Sequence, residues 1–423
     1  MRSVLFIDPP AFCTTIEGLV APGLRTRPLA VAPPGADRAT ILALSAEARR
    51  AGLVRGMPVR KAQRLCPDLI VLPPNPKLYA RASRALHEIL QAFAPTIEPR
   101  GYGHAFLDLT GTSRLFGPPQ DVAARIRREA SERLGLPLSV GIAANKLVSQ
   151  AAIKADRWTD GRSDGQQESE LLYVPAGDER MFLAPQPLEV LPELDPRIRI
   201  RLEDYQLDLI GEIADIAESA LCAVFGRDGR VLRARAQGID PRPVLPPEHQ
   251  SEFYLVHTLI SDTNDLGVLH PLLRLMTERL GRRLRQRRLL AGRLRLNAIY
   301  ADYTAVARAI PLSAAVLDAE LWDAARRAFA LANSKRLAVR SVALTLDRLM
   351  ESEAQLELWG GQRGSCPADL QRAVDHIHAR YGASSVVRGG PLTARRSPLT
   401  PHQATTIFPN VAFPSSTRCA SAS

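Results

Sequence analysis

The stretch Asp240-Pro241-Arg242-Pro243-Val244-Leu245-Pro246-Pro247 constrains this 423-residue chain more than any other. Each proline fixes φ and removes a backbone donor, so the segment reads as a semi-extended linker that no helix or central strand can cross. Strand and helix patterns alternate on both sides of it. Upstream, residues 4–7 form a short apolar strand ended by Pro9-Pro10, and residues 79–93 have helical apolar spacing. Residues 105–109 read as a strand, 118–134 as a helix and 138–142 as a strand, while 46–66, with Gly52 and Gly56, read as a small helical insertion. Polar residues 158–170 mark a boundary, and 180–236 read as several short helices. Downstream, the spacing predicts a strand at 254–260, a helix at 266–290, strands at 294–301 and 304–310, a helix at 319–332 and a strand at 338–346. The chain is therefore expected to be an α+β multidomain protein.

Composition narrows the partner. The chain carries 55 Lys and Arg against 44 Asp and Glu, a net charge of +11, which favours a polyanion such as nucleic acid over an acidic small molecule. An Arg-rich, GC-biased genome is the bland alternative. Cys13, Cys66, Cys222, Cys366 and Cys419 are scattered and odd in number, so neither a disulfide framework nor a zinc site is indicated and a reducing cytoplasm fits best. The apolar start is too short for a signal sequence, and no run of ~18 uncharged apolar residues predicts a membrane span.

The ordered segments resemble the Y-family translesion DNA polymerases, the DinB/UmuC group, over roughly residues 1–350. Phe6-Ile7-Asp8 with Ala11-Phe12 is similar to the family's opening palm strand. Ala48-Arg49-Arg50-Ala51-Gly52-Leu53, Gly56-Met57-Pro58 and Leu65-Cys66-Pro67 are similar to its fingers. Tyr79, Ile97-Glu98-Pro99, Phe106-Leu107-Asp108, Gly141-Ile142-Ala143 with Lys146, and Gln237-Gly238-Ile239-Asp240 continue the match in order. The resemblance implies a right hand plus a little-finger domain: palm at 1–10 and 74–165, fingers at 11–73, helical thumb at 166–240 and linker at 241–250. The little finger would span 251–350, a clamp-binding linker 351–366, a short helical segment 367–390 and a disordered tail 391–423.

The departures fall where chemistry would occur. The family's second acid is Pro10 here, its Asp-Glu pair is Gly103-His104, its aromatic steric gate is Cys13 and its fingers tyrosine is Ala46. Asp8 is left as an isolated remnant of the catalytic acids, or as a strand-end acid with no role. Two dications 4 Å apart repel by roughly 17 kcal/mol at an effective dielectric of 20, which one carboxylate does not offset. Asp108 lies four strand residues away, ~13 Å at ~3.3 Å each. No metal site and no cofactor are expected; Mg²⁺ would enter only on the reading of an active polymerase with an atypical metal site. By resemblance, Arg49, Tyr79 and Arg157 are remnants of the nucleotide pocket.

Arg274, Arg279, Arg282, Arg283, Arg285, Arg287, Arg288, Arg293 and Arg295 crowd one helix and the strand after it. Guanidinium groups match phosphates bidentately, so backbone-led DNA binding is expected of this group from Arg279 onward; a solvated basic face is the competing reading. Gln355-Leu356-Glu357-Leu358-Trp359 resembles the bacterial sliding-clamp peptide, with Gln355, Leu356, Leu358 and Trp359 as the docking residues, or is a turn packing back on its own domain. The lost acids, the turn Thr110-Gly111-Thr112-Ser113-Arg114-Leu115-Phe116-Gly117 and a clamp motif ending in Trp359-Gly360 together resemble the non-catalytic ImuB branch. That resemblance implies a DNA-binding adaptor in damage-induced (SOS) mutagenic translesion synthesis and repair, with the clamp, a replicative-type mutagenic polymerase and a RecA-like accessory protein as partners.

Overall fold

The computed structural model describes residues 2–33, 39–159, 171–246, 252–302, 304–333, 337–351, 366–382 and 385–386. The chain divides into two compact units, the first running to residue 249 and the second starting at residue 250. In the first, β1 (Val4–Asp8) leads through α1 (Phe12–Val20) into β2 (Leu29–Val31), β3 (Ala43–Leu44), α2 (Ala46–Arg50), α3 (Val59–Leu65) and β4 (Ile70–Leu72). The three short strands form a sheet of order β3-β2-β4. The region expected to be a helical insertion is thus framed by a sheet, whose strands of two or three residues are too short to display a period.

α4 (Pro76–Gln91), β5 (Thr96–Pro99), β6 (Ala105–Asp108), α5 (Ser113–Phe116), α6 (Pro119–Leu134), β7 (Ser139–Ala143), α7 (Lys146–Thr159) and β8 (Leu171–Tyr173) follow. Central β1 lies antiparallel to both β6 and β7 in a sheet of order β5-β6-β1-β7-β8. Strand alternation sends Leu5 and Ile7 into the core under α4 and α6, while Val4 and Phe6 pack with Phe106 and Ile153 of α7. Asp8 shares the α7 face by parity. Gly141 of β7 decides how close α7 lies: a Cβ there would stand 2.0 Å from the carbonyl oxygen of Ser149. Arg157, in the last turn of α7, is thereby brought to the end of β1.

The helices α8 (Glu179–Leu183), α9 (Pro196–Asp204), α10 (Ile210–Asp215), α11 (Glu218–Phe225) and α12 (Arg227–Ala236) form the expected cluster of short helices. The proline-rich segment after them is anchored: Val244 is buried with Phe106, and Glu98 accepts from Leu245 N at 2.9 Å.

The second unit holds β9 (Glu252–Thr263), α13 (Leu266–Gln286), β10 (Leu289–Tyr300), β11 (Ala305–Ala315), α14 (Asp318–Ala332), β12 (Val339–Glu351) and α15 (Cys366–Tyr381). Its sheet has the order β11-β10-β12-β9, and α13 and α14 cover Leu294, Leu296, Val342 and Leu344 on one face. α13 stops at Gln286 rather than continuing to residue 290, because Arg288 takes a left-handed φ of 53° and turns the chain into β10. Among the described residues, no helix is long and apolar enough to cross a membrane. Gly141→Ala should destabilise the first unit by about 3 kcal/mol, the upper end of overpacking costs, since backbone and not a flexible side chain fills the space. A fall in the urea midpoint with unchanged slope checks it.

Candidate functional site

Asp8 is buried at the end of β1, its side chain 12% exposed, and both of its carboxylate oxygens have a nitrogen partner. His104 Nε2 lies 3.0 Å from Oδ1, and Arg157 Nη1 lies 2.8 Å from Oδ2. The other ring nitrogen of His104, Nδ1, lies 2.8 Å from the carbonyl oxygen of Tyr102. Both imidazole nitrogens thus face acceptors, which only a doubly protonated ring satisfies. Burial pushes the Asp8 pKa up, but the charges of Arg157 and His104 outweigh it and hold the carboxyl at about 2. Burial likewise pushes His104 down, and the Asp8 carboxylate more than reverses this, leaving it raised.

This donor set does not fit the two divalent ions a family polymerase would need. The protein supplies two cations of its own to one carboxylate, and a dication ~4 Å from the imidazolium would be repelled by about 8 kcal/mol at an effective dielectric of 20. No cluster of three or more His, Cys, Asp or Glu able to hold a metal occurs among the described residues. Nor can an acid be set back at residue 103. Gly103 has φ +76°, and a Cβ there would meet the Phe12 ring at 2.6 Å and Pro9 Cγ at 3.0 Å. Asp108 lies at the far end, opposite Val4, and its side chain accepts from Thr110 N at 2.9 Å.

Of the three residues expected to line a nucleotide pocket, Arg157 pairs with Asp8 and Arg49 lies within electrostatic reach of both. Ser45 caps α2 by accepting from Ala48 N at 3.2 Å and also accepts from Leu29 N at 3.0 Å, fixing that helix on β2. Arg49, in its last turn, has its pKa lowered by burial and then by the nearby charge of Arg157. Tyr79 is elsewhere. It is buried in the α4 core, and its hydroxyl donates to Glu17 Oε1 at 2.9 Å. Cys13 is buried, which pushes its thiol up to about 12 and keeps it neutral.

Residues 7–154 match the impB/mucB/samB family, and residues 256–358 match the C-terminal domain of that family. DNA polymerase IV of Desulfatibacillum aliphaticivorans is 31% identical over 392 residues, covering 90% of this chain and 95% of the relative. The chain belongs to this family of Y-family DNA polymerases. DNA polymerase IV of Halorhodospira halophila is 33% identical over 309 residues, covering 73% of this chain and 84% of the relative. Among solved structures, a Y-family DNA polymerase chimera of Dbh and Dpo4 aligns with a TM-score of 0.67 at 21% identity, over 82% of this chain and 99% of the other. DinB from Sulfolobus solfataricus aligns with a TM-score of 0.55 at 21% identity, over 82% of this chain and 98% of the other. The Y-family fold expected from the sequence is the fold observed.

In this Y-family chain the arginines of the second unit have unequal surroundings. Arg293 donates to both oxygens of Asp347, at 2.7 and 2.8 Å, and Arg295 reaches Asp347 at 2.8 Å and Glu252 at 2.7 Å. Arg285 holds Asp318 at 2.7 Å and Asp375 of α15 at 3.0 Å, while Arg282 bonds His378 of the same helix. Arg287 lies over the Phe253 ring at 5.2 Å, and Arg288 is exposed on its turn. Arg279 is depressed by burial and then by Arg283 and Arg282, which marks those three as mutually close. Charge density alone reveals none of these pairings, since the acids that make them lie tens of residues away. Gln355, Leu356, Leu358 and Trp359 lie outside the described residues.

The ion triad gives a signed pH dependence. The Asp8 contribution to stability is complete above its ordinary value of 3.8 and is lost as pH falls through about 2. The His104 contribution is complete below its ordinary value of 6.5 and is lost as pH rises through the raised folded value. Stability from this site should therefore be greatest between these two ordinary values, and Asp8→Asn should lower the His104 pKa. An NMR titration of the His104 ring checks the shift; an unchanged His104 pKa in Asp8→Asn contradicts it.

Proposed function

We propose that this protein is a non-catalytic member of its family that binds DNA and a sliding clamp and acts as an adaptor in damage-induced mutagenic translesion synthesis and DNA repair. The observation that carries this reading is the closed Asp8 site, in which His104 and Arg157 take both carboxylate oxygens. Phosphoryl transfer by this fold depends on converging acids and metal ions, and Gly103 leaves no room for one of the acids to return.

DNA binding is supported by the family, by relatives named DNA polymerase IV and by the crowding of Arg279, Arg282 and Arg283, whose mutual repulsion a phosphate would relieve. Arg287 and Arg288 extend that surface, while Arg285, Arg293 and Arg295 act mainly through the carboxylates they already hold. Clamp binding rests on the sequence Gln355-Leu356-Glu357-Leu358-Trp359, which begins four residues after Glu351, the end of β12. A RecA-like accessory protein and a replicative-type mutagenic polymerase are the partners this adaptor role requires, in keeping with the ImuB branch. The names of the relatives favour a second reading, an active error-prone polymerase with an atypical metal arrangement.

Primer extension decides between them. Purified protein with Mg²⁺ or Mn²⁺ should add no nucleotide to a primed template, and extension that disappears in Asp8→Ala overturns the adaptor reading. Changing Leu358 and Trp359 together to Ala should abolish pull-down by a sliding clamp while leaving DNA affinity unaltered; retained pull-down shows the peptide to be structural.

A further inference from the structure

Away from Asp8, a second set of charges converges on Glu193, in the loop between the 3₁₀ turn Leu188–Val190 and α9. Arg242, beyond the last thumb helix, reaches Glu193 Oε2 at 2.9 Å. Arg100, between β5 and β6, bonds Oε1, and Arg235 of α12 stands 3.7 Å from Oε2. Lys154 of α7 lies within electrostatic reach of both Glu193 and Arg235. Asp240 is the other acid of the group and is held by Arg242 at 2.8 and 3.0 Å. Four cations thus surround two carboxylates, leaving an excess of two positive charges.

Two further features mark this as more than a surface ion pair. Glu193 has φ +54°, a left-handed conformation that residues with a side chain rarely adopt, so the loop is held in a disfavoured form while its carboxylate meets Arg100 and Arg242. Arg235 is anchored through its Nη groups to the carbonyl oxygens of Pro192 and, at 3.4 Å, of Glu193, so it holds the loop backbone rather than neutralising the Glu193 carboxylate, and its buried Nε has no hydrogen-bond partner. Arg100 and Arg242 stay 40% and 45% exposed, so the cluster opens to solvent.

We propose that Arg100, Lys154, Arg235 and Arg242 form a binding site for a nucleic-acid backbone phosphate, with the Glu193 carboxylate holding the phosphate's place until DNA arrives. A phosphate carries a full charge and presents oxygens that match the guanidinium forks, so it can replace the single carboxylate, which swings toward solvent. Glu193 then acts as a competing anion built into the chain. It weakens non-specific binding and leaves the site ready for DNA that also engages the rest of the protein.

The inference rests on the DNA-binding reading above and is tested with Glu193→Gln, which keeps the size and removes the charge. Fluorescence anisotropy with a labelled primed duplex, repeated over a salt series, should show about three- to tenfold tighter binding and a salt slope steeper by about one. Adding Arg242→Ala to that variant should reverse both. Unchanged or weaker binding by a Glu193→Gln protein of normal thermal midpoint overturns the inference. A lowered midpoint with no gain in affinity shows a purely structural staple and overturns it equally. Tighter binding of inorganic phosphate by calorimetry without a gain for DNA assigns the site to small anions, against the proposal. Wild-type protein with no salt-dependent DNA binding sinks the DNA-binding reading itself, an outcome distinct from these.

Discussion

Everything at the centre of the first unit is arranged around one buried carboxylate that has to be neutralised. Asp8 stands at the end of a strand with neighbours on both sides and a helix across one face, where an uncompensated charge would cost several kcal/mol. A metal-dependent enzyme supplies metal ions for this purpose and shares them with its substrate. Here the chain supplies an imidazolium from the loop before β6 and a guanidinium from the end of α7. The solution is self-contained, and it gives each oxygen of Asp8 a nitrogen partner from the chain itself.

Close backbone approach makes that solution reachable. α7 can deliver Arg157 to β1 because Gly141 lets the helix backbone lie against β7, and His104 is delivered by a loop whose left-handed Gly103 accommodates the Phe12 ring. Each glycine fixes where a cation arrives. Gly103 is therefore a residue that the present packing requires, since a side chain there would meet the Phe12 ring and Pro9.

The arginines show the same economy on a larger scale. A net charge of +11 suggests a broad basic surface, yet Arg285, Arg293 and Arg295 grip carboxylates of their own unit, and Arg100, Arg235 and Arg242 converge on Glu193. Partly exposed pairs of this kind contribute little stability each, roughly 0–1 kcal/mol, so their weight lies in orienting long side chains. Ordered guanidinium groups lose less entropy when an anion arrives than free ones do.

Much of this was legible in the sequence. The apolar runs of β1, β6 and β7, the periodic helices α4, α6, α13 and α14, and the proline-rich division are local signals, because backbone sterics and apolar period act within a few residues. The absence of an acid pair at Gly103-His104 and the isolation of Asp8 needed only the order of motifs along the chain. β2, β4 and β8 were not legible, since strands of three residues have no period and exist only through their partners. The end of α13 was hidden because its leucine pattern continues into β10 past a single left-handed residue, Arg288. Residue order thus determined that Asp8 lacks a carboxylate partner, and tertiary structure alone decided that His104 and Arg157 replace it. Charge pairing depends on distance in space, and His104 and Arg157 lie 96 and 149 positions from Asp8 along the chain.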